Sequence, residues 1–102
     1  MSAIDDHIQA INIAIGRADN AKSMASVGSE TTLQSAEELV KQIREGIART
    51  AWSGDEEFQD IIEKADDILD EFKTERRSNW LVGAIGDLTS SLEGLRDDLY
   101  NG

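Results

Sequence analysis

Residues 47–62 read IARTAWSGDEEFQDII, and this stretch decides the fold. Its two ends carry apolar residues at helical spacing, and its middle, Trp52-Ser53-Gly54, interrupts that spacing. Ser53 followed by Glu56 fits a capping box, in which two side chains satisfy the free N–H groups at the start of a helix. The stretch therefore predicts the end of one helix, a turn and the start of another.

The helical spacing continues on both sides of this turn. Apolar residues recur at alternating intervals of three and four, which is the period of one face of an α-helix. The chain has no proline, so its composition allows long helices. The four runs are Ile4, Ile8, Ile11, Ile15 and Ala18; Leu33, Ala36, Val40, Ile43 and Ile47; Phe58, Ile61, Ala65, Ile68 and Phe72; and Leu81, Ile85, Leu88, Leu92, Leu95 and Leu99.

Two all-α architectures satisfy this pattern. In the first, residues 4–51 and 55–100 form two long helices that fold back at the central turn into a hairpin. In the second, both halves break again, near Gly28 and Ser78, and give a four-helix up-down-up-down bundle. Gly28 and Ser78 lie almost equally far from the central turn, so they would face each other. The apolar period of the second half falls out of phase across Ser78, which favours the four-helix bundle.

Length and charge limit the class of protein. The 102 residues predict a single domain, 1–102, and 10 basic against 21 acidic residues give a net charge of −11. This charge argues against direct binding to nucleic acid or to an anionic membrane. No apolar run approaches transmembrane length. Because Asp5 and Asp6 stand where a signal peptide is basic, we expect a cytoplasmic protein or one exported without a cleaved signal peptide.

Residues suited to catalysis are sparse. The chain has no cysteine, no glycine-rich phosphate loop and no Glu-x-x-His pair. His7 is the only histidine, and we interpret it as a solvated side chain near the terminus rather than an acid/base or a metal ligand. We therefore expect no enzyme activity, no cofactor and no metal site.

The third apolar run is strongly acidic. Asp55 to Lys73 contains nine acidic and two basic residues, a local charge of −7. Five of the acids repeat every three or four residues on the side opposite the apolar face, where neighbours repel one another. They form either a solvated face that keeps the protein soluble or a docking face for a basic partner. The members of this acidic row are Glu56, Asp60, Glu63, Asp67 and Asp70.

The first run is accompanied by alanines at helical spacing. Small residues let a second helix approach closely. The partner helix would belong either to the same chain or to a second chain in a dimer, and both interpretations fit the sequence. The members of this alanine row are Ala10, Ala14, Ala18, Ala21 and Ala25.

The central turn also carries a family resemblance. A length near one hundred, Trp52-x-Gly54 between two amphipathic halves, acidic charge and the lack of cysteine and proline resemble the WXG family. These are the early-secreted-antigen-like helical hairpins exported by bacterial type VII secretion systems. The layout matches over the whole chain, and the motif matches at Trp52 and Gly54. The resemblance implies that Trp52 packs across the end of the hairpin, that Gly54 allows the turn, and that the protein pairs as a homodimer or heterodimer.

Two functional hypotheses follow, and both describe a small non-catalytic interaction protein. In the first, the protein is a type VII secretion partner that works through helix pairing and depends on Trp52 and Gly54. In the second, it is an acidic inhibitor that depends on the acidic row. Such an inhibitor would be an immunity protein against a basic nuclease toxin, or a phage anti-defence protein that mimics nucleic acid.

Overall fold

Four helices make up the fold. The computed structural model describes the backbone of residues 3–49 and 55–101, and the side chains of residues 6–49 and 55–101. Within these ranges there is no strand. The helices are α1 (Ala3–Val27), α2 (Glu30–Ala48), α3 (Glu56–Lys73) and α4 (Ser78–Asn101).

The helices form an up-down-up-down bundle. Both α1 and α3 pack against α2 and α4, so helices that follow one another in the chain are neighbours in space. The described part of the chain measures 41 × 20 × 18 Å, and its long axis is close to the length of about 37 Å expected for the 25 residues of α1. The all-α prediction is confirmed, in its four-helix form. The seam between α3 and α4 is the most sparsely packed of the four.

The core contains the residues that the sequence period selects. The runs on α2 and α3 are entirely buried, and on α4 only Leu99 is half-buried. On α1, Ile15 is half-buried, and the side chain of Ile4 lies outside the described residues. Bulky β-branched and aromatic side chains fill the centre of the bundle: Ile11, Val40, Ile43, Ile47, Phe58, Ile61, Ile68 and Ile85 are each at most 2% exposed.

The break between α1 and α2 faces the start of α4. Gly28 has φ +76°, a left-handed conformation that glycine adopts without strain, and it ends α1. The Ser29 hydroxyl then accepts the Thr32 backbone N–H at 3.2 Å and caps α2. The Ser78 hydroxyl donates to the Ala25 carbonyl, and a Cβ added at Gly28 would lie 3.3 Å from Ser78 Oγ. Gly28 and Ser78 therefore face each other, as their equal distance from the central turn predicts.

The start of α3 differs from the predicted capping box. The helix begins at Glu56, and Asp55 rather than Ser53 is its N-cap residue. The Asp55 carbonyl accepts the Gln59 N–H at 2.9 Å, which closes the first turn two residues later than a cap at Ser53 would. Glu56 and Glu57 then lie at the positive end of the helix dipole, where negative charge is favourable. The turn motif, Trp52-Ser53-Gly54, lies outside the described residues.

The alanine row is internal. Ala14, Ala18, Ala21 and Ala25 are at most 4% exposed, and Ala10 is half-buried. The row therefore serves contacts of α1 with α2 and α4 within one chain, and in this fold it is not a free surface for a second chain. Of the two interpretations left open by the sequence, contact within one chain fits the burial of the row. The physical reason is that one chain supplies all four helices of the bundle.

Candidate interaction surface

The acidic row occupies the outer face of α3. All five of its side chains are exposed, while the opposite face of the same helix is buried in the core. Glu56 and Asp70 are 14 residues apart, so the row extends over about 21 Å of a single rigid helix. The structure thus presents the predicted acids together, on one side of the bundle and in a straight line.

Most of the row lacks a compensating cation. Lys64 lies 3.2 Å from Asp60, an exposed pair one helical turn apart. Arg44 of α2 contacts Asp66, which is acidic but not a member of the row. Within residues 6–49 and 55–101, the other four carboxylates of the row make no ion pair: Glu56, Glu63, Asp67 and Asp70. These four carboxylates are therefore exposed to solvent without a cation beside them.

An open groove runs beside the acidic row, along the seam between α3 and α4. Two depressions lie along it, and Lys64 crosses between them, with Nζ 2.9 Å from Ser91 Oγ. The first depression has Ile61 and Leu95 at its base, and the second has Ile68, Ala84 and Trp80. We call this feature the α3–α4 groove, and its acidic lining consists of Glu57, Asp60, Asp67, Asp87 and Asp98.

Trp80 stands at one end of the groove and is more exposed than a core tryptophan. The side chain is 38% exposed, and the Arg77 guanidinium carbon lies 5.7 Å from the centroid of its ring. This distance is within the range of a cation–π contact. Trp80 therefore offers an aromatic surface next to two carboxylates, Asp67 and Asp87, that make no ion pair with any described residue.

An ion pair between the buried Glu71 carboxylate and the exposed Arg77 guanidinium joins α3 to the start of α4. The Glu71 carboxylate is 7% exposed and accepts hydrogen bonds from Arg77 Nε at 2.8 Å, from the second guanidinium nitrogen at 2.9 Å and from the Arg77 backbone N–H at 2.9 Å. The guanidinium hydrogen bonds, and then the backbone one, lower the pKa of Glu71 from 4.5 to about 2, against the opposing effect of burial. The bidentate contact links the last turn of α3 to the residue before α4.

The carbonyl of Glu71 strengthens the same junction. It accepts the Arg76 backbone N–H at 2.9 Å, while Arg76 has φ +56°, a left-handed conformation that is uncommon outside glycine. The Arg77 carbonyl then accepts the Leu81 N–H at 2.9 Å and opens α4. This arrangement was not predicted from the sequence. The sequence feature that could have indicated it is Glu71, an acid beside the apolar face of α3, six residues before the basic Arg77 in the predicted break.

His7 does not lie where the sequence analysis places it. We expected a solvated side chain, but His7 is 7% exposed and its ring packs edge-on against Phe58, with 6.4 Å between the ring centroids. The reason is its position one residue before Ile8 on the inner side of α1, where the Phe58 ring of α3 lies against it. An edge-to-face contact with a core aromatic ring explains His7 structurally.

The described part of the chain has neither a cluster of metal-ligating side chains nor a helix that could cross a membrane. Residues 6–49 and 55–101 contain no group of three or more histidine, cysteine or acidic side chains that could hold a metal ion. None of the described helices combines the length and the apolarity needed to cross a membrane. The acidic residues of α3 are thus arranged in a line and not around a common centre.

Comparison with known proteins returns no relative. No family model, no curated protein and no solved structure matches the chain. Functional conclusions therefore rest on the geometry of the bundle and its charged face.

Proposed function

We propose that this protein is a small non-catalytic interaction module that binds a basic partner protein through the acidic row on α3. The observation that carries the proposal is the uncompensated charge of the row on a helix whose other face is locked in the core. Neighbouring carboxylates at this spacing repel, so folding does not require them. Binding of a basic partner relieves that repulsion. The long-range attraction between the opposite charges also increases the rate of association.

The narrower form of this proposal is an inhibitor that mimics nucleic acid. Five carboxylates over about 21 Å give roughly one charge per 5 Å, whereas one DNA strand has a phosphate every 3.4 Å or so. The row is therefore more dilute than a DNA strand, although Glu57 beside it adds further negative charge. The spacing supports a basic protein partner in general, of which a nuclease toxin or a nucleic-acid-binding defence protein is one kind.

The secretion hypothesis is the second candidate. One observation favours it: the connection between α2 and α3 falls between Ala48 and Glu56, the segment that carries Trp52-x-Gly54. Two observations weigh against it. Two-helix members of the WXG family pair to complete a four-helix bundle, whereas this chain supplies four helices by itself, and its alanine row is internal.

A matched pair of charge reversals tests the proposed function. The first variant changes Asp60, Glu63 and Asp67 to lysine within the acidic row. The control variant changes Asp19, Glu38 and Glu93, exposed acids outside the row, and so alters net charge equally. We expect capture of a basic protein from the source cell by wild type and by the control but not by the first variant. Raising salt from about 0.1 M to about 1 M should release that protein. Equal capture by both variants would show that the row is not the binding face.

A further inference from the structure

The outward side of α1 carries no charged residue between Gln9 and Val27, although the chain as a whole has a net charge of −11. Its members are exposed and recur at intervals of three and four, the period of one helical face. We call this feature the α1 outer face, and it consists of Gln9, Ile13, Gly16, Asn20, Ser23 and Val27.

Exposed apolar side chains are concentrated on this side of the bundle. Ile13 is 48% exposed and Val27 is 69% exposed, and both belong to the α1 outer face. Tyr100 of α4 is 64% exposed and lies one helical turn beyond Arg96, whose guanidinium donates to the Asn12 side chain of α1 at 3.3 Å. A molecule that covers this side of the bundle therefore removes apolar surface from water.

Gly16 leaves the backbone of α1 open in the middle of the face, one turn from Ile13. A Cβ added at Gly16 would meet no atom within 4 Å. Because glycine has no side chain, a second helix can approach α1 closely here, at an axial distance near the lower end of the usual range of about 8–10 Å. The exposed isoleucine beside an open backbone suits the packing of one helix against another.

One edge of the α1 outer face carries two charges of opposite sign. Eleven residues, close to three turns, separate Asp6 from Arg17, so both lie on the same edge, with Ile13 between them in the sequence. Neither makes an ion pair with a described residue. In a two-fold contact between antiparallel α1 helices, this edge meets the same edge of the second copy in the opposite direction. Asp6 of each copy then faces Arg17 of the other, which gives two ion pairs.

The position of α1 keeps the acidic rows of two copies apart. The helices that neighbour α1 are α2 and α4, so α3, which carries the row, lies diagonally opposite. Two bundles with a cross-section of 20 × 18 Å, joined through α1, hold their rows about 40 Å apart, several times the screening length of about 8 Å at physiological salt. The net charge therefore does not prevent contact between two copies through this face, whereas contact through α3 would be repulsive.

We propose that the α1 outer face is a self-association surface, on which a second copy of this chain docks antiparallel about a two-fold axis near Ile13. Ile13 of each copy contacts Ile13 of the other, and Gly16 leaves room for Gln9 of the other copy. The face is about 27 Å long and about 10 Å wide, smaller than the roughly 800 Å² that each partner buries in a standard interface. We therefore expect a weak dimer, with a dissociation constant on the order of 100 μM.

Sedimentation equilibrium of the full chain, from about 10 μM to about 1 mM, tests this surface. We expect the average mass to rise with concentration from 11.2 kDa towards twice that value. Ile13→Lys sets two like charges near the two-fold axis and should raise the dissociation constant at least about tenfold. Gln34→Lys, at an exposed position of α2, changes the net charge equally and should keep the wild-type dissociation constant.

A charge exchange tests the antiparallel arrangement. Asp6→Arg changes the net charge from −11 to −9, and Arg17→Asp changes it from −11 to −13. Each single variant sets like charges against each other across the two-fold axis, so both should weaken the dimer although they alter the net charge in opposite directions. The double variant restores both the opposite-charge pairs and the net charge of −11, and it should recover the wild-type dissociation constant within about twofold. Circular dichroism checks the helicity of every variant.

Three results would overturn this proposal. A mass of 11.2 kDa at the highest concentration would show that the chain does not self-associate. Equal association of Ile13→Lys and Gln34→Lys would place the contact on another surface. A double variant that fails to recover what the single variants lose would exclude the antiparallel contact. Each of these results leaves the proposed function standing, because the acidic row lies on the opposite side of the bundle.

Discussion

The Glu71 carboxylate, in the last turn of α3, is buried and is held by Arg77, the residue just before α4. Arg77 Nε and a second guanidinium nitrogen lie 2.8 and 2.9 Å from the two carboxylate oxygens. Because Arg77 also stands 5.7 Å from the Trp80 ring, the pair ties the helix junction to one end of the α3–α4 groove. This contact therefore lies at the end of α3, the helix that carries the acidic row.

Removing the charge of Glu71 should destabilise the fold. Glu71→Gln keeps the size of the side chain but replaces a charge-assisted bidentate contact at a 7% exposed site. Glu75→Gln is the control, since Glu75 also lies 2.9 Å from Arg77 Nε but is 68% exposed. Exposed ion pairs contribute little, so we expect the urea midpoint to fall for Glu71→Gln and to change little for Glu75→Gln. Similar midpoints for the two variants would contradict a structural role of Glu71.

The same contact should make stability depend on pH. Arg77 lowers the pKa of Glu71 in the folded protein to about 2, below its ordinary value of 4.5. The stabilisation is therefore complete above about pH 4.5 and is lost as the pH falls towards 2. We expect the difference in unfolding free energy between wild type and Glu71→Gln to be largest at about pH 7 and to shrink by about pH 3. Urea titrations of both proteins at each pH provide the measurement; a constant difference would exclude Glu71 as the titrating group.

Gly28 and Gly16 should respond in opposite directions to alanine. Gly28→Ala forces a Cβ into a backbone with φ +76° and to within 3.3 Å of Ser78 Oγ, which should destabilise the protein by about 1–2 kcal/mol. Gly16 lies inside α1 with open space around it, so Gly16→Ala should stabilise by about 0.5–1 kcal/mol. Thermal unfolding followed by circular dichroism distinguishes the two. A neutral Gly28→Ala variant would mean that the left-handed residue is not needed at this break.

The alanine row should not tolerate larger side chains. Ala18 is fully buried where α1 meets its neighbours, and Ala18→Leu should overpack this contact and destabilise the bundle by about 1–3 kcal/mol. Asn20→Leu, at an exposed position of the same helix, should change stability by less than about 0.5 kcal/mol. Denaturant unfolding measures both. Unchanged stability of Ala18→Leu would indicate that α1 does not pack as described.

The fold is predictable from the sequence because the helical period of the apolar residues selects the same faces that pack in the core. The spacing of Leu33, Val40 and Ile47 allows only one helical face to be buried, and this face is the one in the core. Gly28 predicts the end of α1, because few residues other than glycine adopt a positive φ. Choosing between the hairpin and the bundle depends on whether each half breaks again, and the phase change across Ser78 indicates correctly that the second half does.

The groove and the Glu71–Arg77 pair could not be predicted in the same way. The acidic row is visible as a spacing within one helix, whereas the groove needs the distance between α3 and α4, which no local pattern encodes. Glu71 resembles its exposed neighbours in sequence, and only the geometry of the junction brings Arg77 to it. His7 was misassigned for a related reason: its burial depends on Phe58, 51 positions further along the chain.

The most direct test of the central claim compares two variants in one capture experiment from the source cell. One is the Asp60, Glu63 and Asp67 to lysine variant, and the other is Trp52→Ala, with helicity of both checked by circular dichroism. If the acidic row binds the partner, the lysine variant should lose it and Trp52→Ala should retain it. Loss with Trp52→Ala and retention with the lysine variant would contradict the claim and favour the secretion hypothesis.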